Sequence, residues 1–349
     1  MNNTPSGEGI PMKIMYMLSA WQTMKMPGLW PLMRDWIHFI RMNYLFAALE
    51  SGLLEALETG ASRETLIDRL AIKRPELLDA LLDMGLALKE ISLHEDTFSL
   101  KGKRSKVLAS RQGDALAALV QANVTYYSAA YRNLTDRMHG ASLGDDLAVI
   151  GETVARFAKI GEPMLRRFIG SLVPDSGPFR VLDVGCGSGF VLKTIGNINS
   201  KANGTGIDTD HKVAAQALEN LEEWRLQGRF NVLAGDIRNH VDTLRGGFDL
   251  ITAFNLLYYF PIGERIEFFK LLRSLLTPKG CVAFVNNFQS RGRDITAANL
   301  NIVNCSLNGL TALPNLKETR SQLSHCGFSQ IRVTRFMPGS EFYGLTAYT

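Results

Sequence analysis

Beyond Pro174 the chain alternates short apolar runs with amphipathic segments. "FRVLDV", "GTGID", "RFNVLAGD", "FDLITAFN" and "GCVAFVN" are each followed by helical or turn sequence. That alternation predicts a parallel sheet with helices on both faces. The last two runs, "FSQIRVTRF" and "EFYGLTAYT", are joined through a turn containing "PGS". So few residues cannot form a crossover, so this pair is expected to be antiparallel.

The front of the chain has a helical period instead. "NYLFAALESGLLEALETG" predicts a helix ending at Gly60, and "SRETLIDRLAI" a short helix with Ser62 as its N-cap. "KRPELLDALLDMGLALKEI" predicts a third helix with Pro75 near its first turn, and "ISLHEDTFSLKGK" alternates around an acidic turn like a β-hairpin. Three helices and a hairpin over 41–111 make a winged-helix-like unit, a module known both for reading DNA and for dimerisation. Residues 112–172 read as a mostly helical linker, with "TDRMHGASLGDD" as an internal loop. In the arm over 1–40, "MKIMYMLSAWQTMKM" and "LWPLMRDWIHFI" are rich in Met and Trp. At helical spacing they make an apolar face, for a partner subunit or a membrane surface. Without a Lys/Arg-rich polar face, the subunit contact is the expectation.

Composition narrows the partners. A chain of 349 residues is long enough for two domains. Its 38 basic and 34 acidic residues leave a net charge of +4, which is no footprint for nucleic acid. In the would-be recognition helix, Arg74 and Lys89 face Glu76, Asp79, Asp83 and Glu90, and phosphates would repel such a helix. The basic "KGKRSK" at 101–106 reads as a solvated face. Cys186, Cys281, Cys305 and Cys326 lack both metal-site and disulfide spacing, so reduced thiols, a cytoplasmic protein and no metal are expected. No run of about 18 apolar residues or signal-peptide pattern is seen, so no stable membrane insertion is expected.

Chemistry concentrates in "VLDVGCGSGFVLKTIG", residues 181–196. Gly185, Gly187 and Gly189 form a strand-to-helix turn in which backbone must approach a ligand closely. The dinucleotide fingerprint would need glycine at Phe190, and the glycines alone leave nicotinamide and S-adenosylmethionine cofactors both open. Two further strand ends carry carboxylates: Asp208, nineteen residues after Gly189, and Asp236 in "VLAGDIRN". With Asp183 before the loop, "DVGCGSG" resembles motif I of the class I S-adenosylmethionine-dependent methyltransferases. The resemblance implies that the backbone from Gly185 through Cys186 and Gly187 to Gly189 packs against the methionyl part of S-adenosylmethionine. It places Asp208 on the ribose hydroxyls, Asp236 on the adenine amino group and Ile237 against the ring.

About nine-tenths of the chain resembles the small-molecule O-methyltransferases of plant and bacterial secondary metabolism. The implied fold is α/β: a Rossmann-like class I methyltransferase sheet over 173–349, parallel with a final antiparallel hairpin, behind an N-terminal, mostly helical, winged-helix-like dimerisation domain. The implied protein is a homodimer through that domain, with S-adenosylhomocysteine as product and a small-molecule acceptor. Where the family reads Lys-Asn-Val-Leu-His-Asp-Trp, this chain reads "FNLLYYF". Asn255 and Leu257 fit, but Tyr258 replaces the histidine base, Tyr259 the aspartate and Phe260 the tryptophan. Where a glutamate often supports that base, Asn286 and Asn287 stand. Tyr258 is therefore the first candidate for a catalytic or orienting group, and His139 a second. Tyr126, Tyr127, Tyr259 and Asn287 are candidates to face the substrate. His211 and His240 read as rim or surface residues, and Glu264 and Arg265 as an ordinary helix start.

The sulfonium methyl is already activated, so alignment supplies much of the rate. O-methylation of an aromatic or conjugated acceptor is favoured. C-, N- and S-methylation, protein carboxyl methylation and a DNA-binding regulator that senses S-adenosylmethionine remain as alternatives.

Overall fold

The computed structural model describes residues 12–145, 147–244 and 247–349. The first eleven residues of the expected arm and the last residue of the expected loop at 135–146 lie outside them. The chain divides into two compact units at Val124/Thr125.

The first unit is helical with one hairpin. Helices Met12–Met24 and Leu29–Glu50 are separated by a turn in which Gly28 is left-handed, at φ 81°. The single helix expected to run to Gly60 is broken. Leu29–Glu50 stops where Gly52 takes φ 72°, and a one-turn helix, Leu53–Ala56, follows. A glycine just past a helix end adopts this conformation without Cβ strain, and here it redirects the chain. Ser62 caps Arg63–Arg69 by accepting from the Thr65 N–H, and Pro75 opens Pro75–Ala87. Strands β1 (Ile91–His94) and β2 (Thr97–Leu100) pair antiparallel. Leu45, Leu53, Leu57, Leu66, Leu82 and Ile91 fill the core of this unit. Buried Glu90 is held by Arg41, Arg104 and Ser105.

In the second unit, short helices from Ser128–Arg132 to Glu162–Gly170 precede the sheet. One of them, Leu134–Met138, takes up the start of the stretch read as a loop. The strands are β3 (Phe179–Val184), β4 (Ala202–Asp208), β5 (Phe230–Ala234), β6 (Phe248–Phe254), β7 (Leu276–Asn287), β8 (Ser329–Arg335) and β9 (Phe342–Tyr348). Their order in the sheet is β5-β4-β3-β6-β7-β9-β8. The five strands β3 to β7 are parallel, and β9 lies antiparallel between β7 and β8. This is the expected parallel sheet with its terminal antiparallel pair.

Alternation along the strands gives the sheet two apolar faces. Leu182, Ile251 and Phe284 enter one core, while their neighbours Val181, Leu250 and Val285 enter the other. From β3 the chain goes to β4 on one side and later to β6 on the other. In open α/β sheets the crevice beyond the carboxyl ends of the strands at such a reversal is the ligand-binding place.

Candidate functional site

The glycine loop leaves β3 at Val184. The Gly185 and Cys186 N–H groups both donate to the Ile207 carbonyl, at 2.8 and 3.1 Å, fastening the loop to the end of β4. Gly185, Gly187 and Gly189 all have positive φ, at 69°, 52° and 82°. A Cβ at Gly185 would lie 2.9 Å from the Leu256 side chain, whereas one at Gly187 would meet nothing within 4 Å. Gly189 leads into the helix Phe190–Ile198, whose first N–H groups lack intrahelical acceptors and favour an anion. Cys186 is buried, and burial, then Asp183 and Asp208, push its thiol far up, so it serves as a neutral wall.

Asp183 is 1% exposed. Its Oδ1 accepts from the Thr252 hydroxyl at 2.6 Å, and its Oδ2 is buried with no partner. Burial pushes this carboxyl up to about 7, with the Thr252 bond opposing and Asp208 adding. Asp208 accepts from the Gly187 N–H at 3.0 Å and the Asp210 N–H at 3.1 Å, one on each oxygen. A carboxylate oxygen has room for a second donor, so both retain capacity for hydroxyls.

Asp236 follows β5 and carries a partner of its own. Arg238, missed in the sequence, turns back from the next-but-one position. Its Nε lies 3.0 Å from both carboxylate oxygens and its Nη2 2.6 Å from Oδ2, while its backbone N–H donates to Oδ1. The Arg238 bonds hold the Asp236 carboxyl below its ordinary range. Ile237, expected against an adenine ring, is 4% exposed within the sheet core. Asn255 follows β6 with φ 52°, its N–H on the Val285 carbonyl.

The aromatic candidates come together. A π-helix, Asn123–Tyr127, carries Tyr126 and Tyr127 stacked at 4.6 Å between ring centroids. A 3-10 turn, Leu257–Tyr259, carries Tyr258 and Tyr259 with centroids 5.1 Å apart. The Tyr126 and Tyr127 hydroxyls also interact with each other. The two pairs also feel each other: after burial, Tyr259 and Tyr127 raise the Tyr258 phenol, and Tyr127 and Tyr258 raise that of Tyr126. Tyr259, at 44% exposure, is raised by its surroundings and then by the charge of Asp208 at the end of β4. All four are thus held as neutral phenols.

His139 does not share this setting. It is exposed at the end of Leu134–Met138, with Nδ1 2.8 Å from the Thr135 carbonyl. Asn287 is half-buried at the end of β7. Asn286 is fully buried, and its Oδ1 accepts from the Leu257 N–H at 3.4 Å while Nδ2 has no partner. Among the described residues no cluster of three or more His, Cys, Asp or Glu could hold a metal ion, and no helix is long and apolar enough to cross a membrane.

Residues 181–280 match the family model described as a methyltransferase domain. None of the curated proteins matches the sequence. Among solved structures, the mitomycin 7-O-methyltransferase MmcR aligns with a TM-score of 0.74 at 16% identity, covering 96% of this chain and 99% of its own. An O-methyltransferase family protein from Burkholderia thailandensis aligns with a TM-score of 0.74 at 13% identity, covering 91% and 97%. Human N-acetylserotonin methyltransferase, in complex with S-adenosylmethionine, aligns with a TM-score of 0.70 at 13% identity, covering 93% and 98%. Residues 181–280 thus carry a methyltransferase domain, and the chain shares its fold with small-molecule O-methyltransferases over nearly its whole length.

Proposed function

We propose that this methyltransferase domain acts on a small aromatic or conjugated acceptor, with oxygen as the favoured nucleophile, and does so without a histidine base. S-adenosylmethionine supplies an activated methyl group and leaves as S-adenosylhomocysteine. The observation that carries this reading is the two tyrosine ring pairs, Tyr126–Tyr127 and Tyr258–Tyr259, whose charges act on one another, with Asp208 acting on Tyr259.

The residues fit the cofactor. The Gly185–Gly189 backbone and the helix after it offer N–H groups to a carboxylate, and the unpartnered Asp183 Oδ2 adds a buried acceptor for a cationic group. Asp208 has spare acceptor capacity for ribose hydroxyls. Asp236 reaches an adenine amino group by sharing its carboxylate with Arg238, and Ile237 backs that wall from the core.

A half-buried phenol whose proton is held this firmly is a poor base, so Tyr258 orients the acceptor by hydrogen bonding. Tyr126, Tyr127, Tyr259 and Asn287 line the acceptor's side, while His139 is left on the surface. The acceptor then brings its own acidity. A phenol, enol or thiol ionises close enough to neutrality to react once aligned, whereas an alkyl alcohol does not. The sulfonium already activates the methyl group, so the reading includes no metal. The exposed apolar arm points to a homodimer through the N-terminal domain, and four free thiols to a cytoplasmic setting.

The test is transfer of labelled methyl from S-adenosylmethionine into a fractionated extract of the source cells, with Tyr258→Phe alongside. The expected outcome is label in the small-molecule fraction and a kcat lower by about tenfold or more in the variant. Label confined to protein or nucleic acid would overturn the acceptor class.

A further inference from the structure

Arg265 is 1% exposed and heads the largest fully buried side chains. Among the described residues no carboxylate stands within ion-pair distance of it. Burying a guanidinium costs several kcal/mol on the order-of-magnitude scale of desolvated charges unless its donors are used. Its donors go to the candidate site's scaffold: Nε to the Phe260 carbonyl and Nη2 to the Thr311 hydroxyl, each at 3.2 Å.

Thr311 in turn donates twice to the Tyr258 carbonyl, from its backbone N–H at 2.7 Å and its hydroxyl at 2.9 Å. One arginine and one threonine therefore hold the carbonyl side of the turn that presents Tyr258 and Tyr259. We propose that Arg265 and Thr311 form a latch that positions this tyrosine turn for methyl transfer, a role resting on the function proposed above.

The loop bearing Thr311 also reaches the other tyrosine pair's side of the unit. It follows the helix Ile295–Cys305, whose Asn299 Oδ1 accepts from the Tyr131 hydroxyl at 2.9 Å. The Gly144 N–H donates to the Ser306 carbonyl, the Asn308 N–H returns to the Gly144 carbonyl, and Asn308 Nδ2 lies 2.6 Å from Asp145 Oδ1. The segment that follows Tyr126 and Tyr127 and the turn that carries Tyr258 are thus fastened to one helix and loop. Loss of the Thr311 hydroxyl removes one bond from Tyr258 and one from Arg265, leaving a buried guanidinium partly unsatisfied.

The test uses the full chain with Thr311→Val, which keeps the side-chain shape, and Thr311→Ser, which keeps the hydroxyl. Hydrogen exchange of peptides over 256–262 is measured together with affinity for S-adenosylhomocysteine, and labelled methyl transfer is followed with the acceptor found above. In Thr311→Val the turn should exchange about tenfold faster and kcat should fall about tenfold, with KM for S-adenosylmethionine and the affinity for S-adenosylhomocysteine unchanged. Thr311→Ser should restore both. Unchanged exchange in the turn, exchange raised equally in the sheet peptides, or a loosened turn with wild-type kcat would each overturn the latch. Absence of transfer in the wild type would instead sink the proposed function, leaving hydrogen exchange to decide whether Arg265 and Thr311 hold the turn.

Discussion

Gly185 and Gly187 separate backbone strain from ligand approach within one loop. Both have positive φ, where an L side chain costs roughly 1–2 kcal/mol. Gly185→Ala adds a clash with Leu256 to that strain, while the space beside Gly187 is open. Gly187→Ala should therefore lower stability by about 1 kcal/mol in urea titrations yet weaken S-adenosylhomocysteine binding about tenfold by calorimetry, because its methyl group fills the approach side. Gly185→Ala should be the less stable of the two. Equal affinity of Gly187→Ala and wild type would remove the loop from the binding surface.

Asp183 gives the pH dependence. An unfolded aspartate titrates near 3.9, whereas burial keeps native Asp183 protonated to about 7. Between those values the native state binds more protons than the unfolded one. Its contribution is thus fully present below pH ~4 and is lost as pH rises to about 7. Asp183→Asn should flatten this fall and be the more stable protein at pH 8, by about 1–4 kcal/mol in paired urea titrations at pH 5 and 8. These residues were legible because the motif is local and its roles follow from backbone and charge. Arg238 on Asp236 and the path from Arg265 through Thr311 to Tyr258 were not, because folding makes those partnerships. Arg265 looked like any helix start.

At the scale of elements, the strands of the sheet were readable because each alternates or runs apolar for the length of a strand. Two helical features were not. The break at Gly52 and the π-helix at Asn123–Tyr127 change which carbonyl each N–H reaches, and an apolar period barely registers such a shift. The helix Ile295–Cys305 shows how much one capping residue can organise. Asp294 is 8% exposed, and its Oδ1 accepts from the Thr296 and Ala297 N–H groups while Oδ2 accepts from that of Glu341. Burial alone would raise this carboxyl, but those backbone donors outweigh it and hold it below its ordinary range. Its stabilisation is present above the unfolded pKa near 3.9 and is lost as pH falls through the lower native value. Asp294→Ala should cost about 1–3 kcal/mol at pH 7, with a shrinking difference from wild type in acid, read by chemical denaturation. A constant difference down to pH 3 would rule out the ionised cap.

At the scale of the whole molecule, the arm is the feature that a single chain leaves unresolved in energy. Met15, Tyr16, Met17, Trp21, Trp30, Leu32, Trp36 and Phe39 are all exposed, and consecutive positions such as 15 to 17 point to different sides of their helix. Apolar surface on this scale is uncommon on monomers and marks an interface. A membrane-surface helix would show one apolar face opposite a Lys/Arg-rich one, whereas Arg34, Asp35 and His38 give the polar side of Leu29–Glu50 near this apolar surface no such richness, which favours cover by another protein chain. A second copy supplies the same surface in the symmetric manner of most homo-oligomers. Light scattering should therefore give twice the 38.7 kDa mass of one chain. A variant with Trp30→Glu and Trp36→Glu should shift toward the single-chain mass, since each glutamate would have to be desolvated at the contact. A wild-type chain that is monomeric and floats with anionic vesicles would give the arm to a lipid surface instead.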